Sequence, residues 1–236
     1  MSSLPPSPPP SAAAVLPWEN RRDREPFGAF VDTLTLFATR PDEAWAMTPE
    51  KGGFASPLLF GWILTFLGLA VRFIYRRIFL SPLARVFPEL PPGVREMFGW
   101  GRPRSFGCAI AAMPFVAACA AVAGLFIGAA VIHICVLLVG AARSSSSGYE
   151  GTFRVLSYAS VSSLAQVIPF VGGLISFVWW IVLAVKGIRR MHRTSTGRAC
   201  AAVLLPIAVI CLVVAVASAA LIALFVAARH GSSFAR

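Results

Sequence analysis

Arg154, Tyr158, Ser162 and Gln166 follow one another at four-residue steps through an apolar stretch, a pattern that could do chemistry inside a membrane. On an α-helix this spacing makes one stripe that drifts by about 40° per step. Ser157, Ser160 and Ser163 flank it. Polar groups at bilayer depth must face protein or water, which leaves two readings. The stripe either lines a solute path or groove, where Arg154 suits an anionic or neutral solute better than a cation, or it makes interhelical hydrogen bonds worth about 0.6 kcal/mol each. His133 also lies within an apolar run and could shuttle a proton. No Asp or Glu lies inside any such run, and Glu150 only reaches an edge, which disfavours proton or cation coupling.

Other chemistries find no footing. The chain shows no Ser/His/Asp set, phosphate-binding glycine loop or paired carboxylates. Its histidines, His133, His192 and His230, are scattered, and Cys108, Cys119, Cys135, Cys200 and Cys211 sit in apolar segments with no two-residue spacing. We therefore expect free thiols that pack as small residues, no metal, no cofactor and no enzyme.

The elements that must position these residues are membrane helices. Of 236 residues, 57% are hydrophobic and 13% charged, and the mean hydropathy is +0.75. That is more apolar surface than one soluble core can bury. Runs exceeding the ~18–20 residues that cross a hydrocarbon core predict about five spans. These are Phe54–Tyr75, Phe115–Val139 after a kinked or interfacial stretch ending at Pro114, Thr152–Ile168, Val171–Ile188 and Cys200–Ala228 with Pro206 near its start. The third and fourth form a hairpin around Pro169-Phe170-Val171-Gly172-Gly173. Trp179 and Trp180 fall mid-span, so either that span is offset or the rings pack on other helices. The fold class is an all-α, polytopic helical bundle.

Flanking segments divide the chain further. Residues 1–26 read as a disordered Pro-rich tail with no removable signal peptide, and residues 27–53 as an interfacial segment. Residues 54–229 form the five-span domain, and residues 230–236 a short tail. In the interfacial segment Phe27, Phe30, Val31, Leu34, Phe37 and Ala38 recur at helical spacing, which predicts an amphipathic helix on the membrane surface. Pro41, Asp42 and Glu43 mark a second helix start. The Ser81–Trp100 stretch is a further candidate interfacial helix.

The formal charge of +11 gathers beside the spans, which points to anionic lipid headgroups rather than nucleic acid. Lys186, Arg189, Arg190 and Arg193 are the candidate headgroup contacts. Their loop lacks acids whereas the opposing loop carries Glu89 and Glu96, so we place the amino terminus in the cytoplasm. Ala120, Gly124 and Gly128 form a candidate helix-packing ridge, and Ala215, Ala219, Ala223 and Ala227 repeat the pattern.

The segment Gly148-Tyr149-Glu150-Gly151-Thr152-Phe153-Arg154-Val155-Leu156-Ser157-Tyr158-Ala159, then Ile168-Pro169, Gly172-Gly173, Trp179-Trp180, Gly187 and His192, resembles the prokaryotic form of the Yip (Ypt-interacting protein) domain family. The Phe37–Pro57 region and His133 share the resemblance, which runs from about Phe27 to the last span. It implies a five-helix integral membrane protein with a cytoplasmic amino terminus, in the plasma (inner) membrane if the source is prokaryotic. Eukaryotic relatives bind Rab-type small GTPases in vesicle traffic. This chain lacks their Asp-Leu-Tyr-Gly-Pro signature, so the resemblance does not carry GTPase binding over. The expected function is a non-enzymatic membrane protein that organises lipids or partner proteins, with membrane lipids, a membrane-protein partner or a second copy as partners. The alternative is a small-solute permease or channel lined by the polar stripe.

Overall fold

The computed structural model describes residues 15–21, 25–75, 78, 106–142 and 146–233, with backbone alone at 106–113 and 224–233. The Ser81–Trp100 expectation lies outside these residues. Two short helices, α1 (Pro26–Thr39) and α2 (Pro41–Met47), precede the bundle. Both begin on proline, whose missing N–H costs nothing in a first turn, and Asp42 and Glu43 face the positive end of α2. The bundle comprises α3 (Ala55–Tyr75), α4 (Phe106–Leu138), α5 (Gly148–Ala159) with a 3-10 continuation (Ser160–Val167), α6 (Gly172–Met191) and α7 (Thr196–Ser233).

The architecture is all-helical among the described residues. Four helices are long and apolar enough to cross a membrane: Ala55–Tyr75, Pro114–Leu138, Gly172–Met191 and Thr196–Ala223. Phe115, Ile127, Leu138, Ile210 and Leu221 stand exposed on them, a surface suited to lipid. The expected span Thr152–Ile168 takes another form. Its twelve-residue helix and eight-residue 3-10 segment would together cover about 34 Å at ~1.5 and ~2.0 Å per residue, comparable with a hydrocarbon core. Its α-helical part is too polar to meet lipid, and it does not: every residue from Gly151 to Ala159 is buried among α3, α4 and α6, whereas the apolar Val167 and Ile168 at the far end are exposed.

Close approach to this enclosed helix falls on glycines of its neighbours. A Cβ on Gly61 would meet the Ser157 backbone at 2.9 Å, one on Gly128 would meet Leu156 at 3.2 Å, and one on Gly187 would meet Val155 at 2.7 Å and Trp45 at 2.9 Å. Such contacts let backbones pack closely where lipid supplies no hydrophobic drive. The long helices tolerate their prolines: α4 continues through Pro114, where its membrane-spanning part begins, and α7 carries Pro206 inside its first half, as expected. Trp179 and Trp180 are partly buried and pack on the core.

The amphipathic stripe of α1 splits between two faces. Ala29, Thr33 and Phe37 are buried against the bundle, whereas Phe27 and Val31 point outward. The tail expected through residue 26 is interrupted as well. Leu16 and Trp18 are buried, with the Leu16 N–H donating to the Met47 carbonyl and the Trp18 N–H to Thr33 Oγ1.

The hairpin between the 3-10 segment and α6 is tight. The Val171 N–H donates to the Pro169 carbonyl around Phe170, whose φ of 63° is unusual for a side-chain-bearing residue. At Gly172 a Cβ would lie 2.2 Å from the Ala165 carbonyl oxygen, whereas Gly173 has open space. Gly172→Ala should therefore destabilise the fold by roughly 1–3 kcal/mol or more, while Gly173→Ala stays within about 0.5 kcal/mol of wild type. Thermal unfolding in detergent, followed by circular dichroism, checks the contrast.

Candidate functional site

A buried arginine organises the interior. Arg154 on α5 is fully enclosed, and its Nη1 lies 2.7 Å from Glu19 Oε1. Its Nε lies 3.2 Å from Glu150 Oε1, one turn earlier on the same helix, and its Nη2 donates to the Gly53 carbonyl at 2.8 Å. Glu150 Oε1 also accepts the N–H groups of Gly52 at 2.8 Å and Gly53 at 2.7 Å. The turn that delivers these groups needs glycine, since φ is 144° at Gly52 and 86° at Gly53. The Tyr158 hydroxyl donates to the same Glu19 oxygen that Arg154 holds. Phe37 stacks on the Tyr158 ring at 5.4 Å, and Phe60 packs on it at 5.2 Å.

The expected stripe survives only in part. Arg154 and Tyr158 converge on Glu19, and Ser162 is buried beyond them. From Ser160 the chain is a 3-10 helix with about three residues per turn, so Gln166 aligns with Ser163 instead, and both lie beside Gly68. Sequence reasoning missed Glu19, Gly52 and Gly53. One signal was available: an arginine in an apolar run demands a carboxylate, and Glu150 stands four residues before it.

A second polar group sits near the end of α6. Thr152 Oγ1 lies 2.9 Å from His133 Nδ1 and 2.9 Å from His192 Nε2, while His192 Nδ1 is buried without a hydrogen-bond partner. The Ser147 hydroxyl donates to the Met191 carbonyl beside it. Thr152 joins two histidines that are far apart in sequence.

The expected headgroup cations occupy the same end of the bundle. Lys186 pairs with Asp42 at 2.7 Å, and Arg193 and Arg190 approach Glu50 at 2.8 and 3.7 Å. Arg189 is exposed and has no acidic partner among the described residues. These pairs place residues 42–50 and the turn after α6 at one end of the bundle. The expected ridge is shifted by one residue. Ala120 and Gly124 face outward, and only Gly128 meets a neighbour, because the buried face of α4 runs through Ala121, Leu125, Ala129 and Ile132.

Apolar helices around an enclosed polar one define a multi-pass helical membrane protein. A family model described as the Yip1 domain matches residues 34–227, and the chain belongs to that family. No curated protein and no solved structure matches it.

Two consequences are measurable. Arg154→Gln leaves two carboxylates without their cation and should cost about 3–5 kcal/mol, whereas Glu19→Gln should cost less because Glu150 still offsets the guanidinium. Thermal unfolding of both variants in detergent ranks them. Acid acts in two windows. Burial first, and then the neighbouring His133, push the His192 pKa down to about 4. As pH falls from about 6.5, unfolded chains take up a proton there that the folded protein refuses, so stability declines. His192→Gln should flatten that decline. The Arg193 hydrogen bond, helped by the charges of Arg193 and Arg190, holds the Glu50 carboxyl below its ordinary value against an opposing effect of burial. Its contribution is full above about 4.3, the ordinary glutamate value, and is lost as pH falls through the lowered pKa. The stability gap between wild type and Glu50→Gln should close in that lower window, as read from melting temperatures across a pH series.

Proposed function

We propose that this Yip1-domain protein is a non-enzymatic organiser of the membrane, gathering anionic lipid or a partner protein at the end of the bundle that carries α2 and the turn after α6. The supporting observation is the basic cluster itself. Among the described residues Lys186, Arg189, Arg190 and Arg193 meet two acids, Asp42 and Glu50, so the cluster stays positive there, and the side chains of Arg190 and Arg193 remain 44% and 61% exposed. We place this end, with the amino terminus, in the cytoplasm, where anionic leaflet lipid would attract it. A solute path along Arg154, Tyr158, Ser162 and Gln166 is the weaker reading. Its strongest polar groups are already engaged by Glu19, Glu150 and Gly53.

In nanodiscs containing phosphatidylglycerol, the triple variant Arg189→Gln/Arg190→Gln/Arg193→Gln should retain anionic lipid at least about tenfold more weakly than wild type. This follows from about 1 kcal/mol per cation near the surface, discounted for the two that Glu50 partly neutralises. Native mass spectrometry at matched ionic strength reads the retention. Equal retention by both proteins rules out the lipid role.

A further inference from the structure

Glu19 belongs to a segment built like a bound peptide. Residues 15–21 contain no α-helix or strand, and three anchors seat them. Leu16 is buried and hydrogen-bonds the Met47 carbonyl through its backbone. Trp18 is buried against Phe30 and Phe60, with its Nε1 donating to the Ser56 carbonyl at 2.8 Å. Glu19 places its carboxylate between Arg154 and Tyr158. Arg21 closes the segment, 2.6 Å from Ser56 Oγ and 4.7 Å from the Trp18 ring centroid.

Most of the surface that receives it comes from elsewhere. Met47, Ser56, Phe60, Arg154 and Tyr158 lie within the Yip1 match at residues 34–227, and the segment lies outside it. Without Glu19 the Tyr158 hydroxyl loses the acceptor described here, and Arg154 keeps Glu150 and the Gly53 carbonyl but loses its shortest ionic contact. A cationic and hydroxyl donor pair beside an aromatic pocket selects a carboxylate that follows a large aromatic side chain.

We infer that the surface around Arg154 and Tyr158 is a recognition site for short acidic–aromatic peptides, and that Leu16–Arg21 is its detachable ligand in cis, which a partner's segment of the same chemistry displaces. This goes beyond the lipid reading and does not depend on it. A tethered ligand competes at an effective concentration of roughly millimolar, so the intact chain binds free peptide poorly until the tether is released.

The test uses the full chain in nanodiscs, with a specific protease site inserted between Arg21 and Glu25 and cut after purification. The probe is a fluorescent peptide covering residues 13–24. We expect the cut segment to exchange for the probe, uncut protein to bind it at least about tenfold more weakly, and a probe carrying Glu19→Gln to bind at least about thirtyfold more weakly, as for loss of one partner in a buried charge pair. Circular dichroism before and after cutting should be unchanged. Failure of the probe to exchange, equal binding of the two probes, or loss of helicity on cutting each overturns the inference, because a receptor must outlast its ligand and read its charge. Lipid retention is measured separately and is unaffected by any of these outcomes.

Discussion

One charge sets the terms for this molecule. A guanidinium enclosed by apolar helices carries a desolvation cost of several kcal/mol, and only close, well-oriented acceptors offset it. Arg154 obtains them from three places in the sequence: Glu150 on its own helix, the Gly53 carbonyl in the turn before α3, and Glu19 in the amino-terminal segment. Each acceptor must be held where it is, so the charge fixes more than its own surroundings. The Gly52–Gly53 turn, the docking of residues 16–21 and the seat of α1 through Phe37 and Thr33 share that requirement.

The enclosed helix also dictates how its neighbours are built. A helix carrying arginine, tyrosine and serines cannot meet lipid, so α3, α4 and α6 must surround it closely, and glycine is the residue that permits this. Gly61, Gly128 and Gly187 each face it at separations where a Cβ would collide or crowd. The change to 3-10 geometry at Ser160 follows the same economy of space. It lengthens the segment per residue, and it turns Ser163 and Gln166 together toward Gly68 of α3.

Sequence periodicity revealed what is local and missed what is not. Apolar run length located α3, α4, α6 and α7, and proline with acids located the start of α2, because these signals lie within a few turns of one another. The stripe was legible through Tyr158 and then failed, since periodicity assumes one helix type and the chain changes type at Ser160. The ridge on α4 was misplaced by one residue: small side chains at four-residue steps occur on both faces of an alanine-rich helix, and only packing shows which face is internal. Glu19 and Arg154 stand 135 residues apart, and no local pattern announces such a pair. The need for a carboxylate was readable; its position was not.

The two ends of the bundle divide the labour that follows from this arrangement. At one end Arg189 and Arg190 occupy the last turn of α6, where a positive charge suits the helix dipole, and Arg190 and Arg193 also lean on Glu50. A cation so placed serves the helix and the acid first, and only its residual charge reaches outward, so Arg189, which has no acidic partner among the described residues, is the least neutralised charge of the group. At the other end the hairpin tip offers Phe170, 87% exposed on a strained backbone, beside Ile168 and Val171. The described polar chemistry therefore concentrates at the end where the amino-terminal segment docks. A partner that reads the buried arginine must approach from there, past α2 and the Glu19 segment, which makes that segment the natural point of control over Arg154.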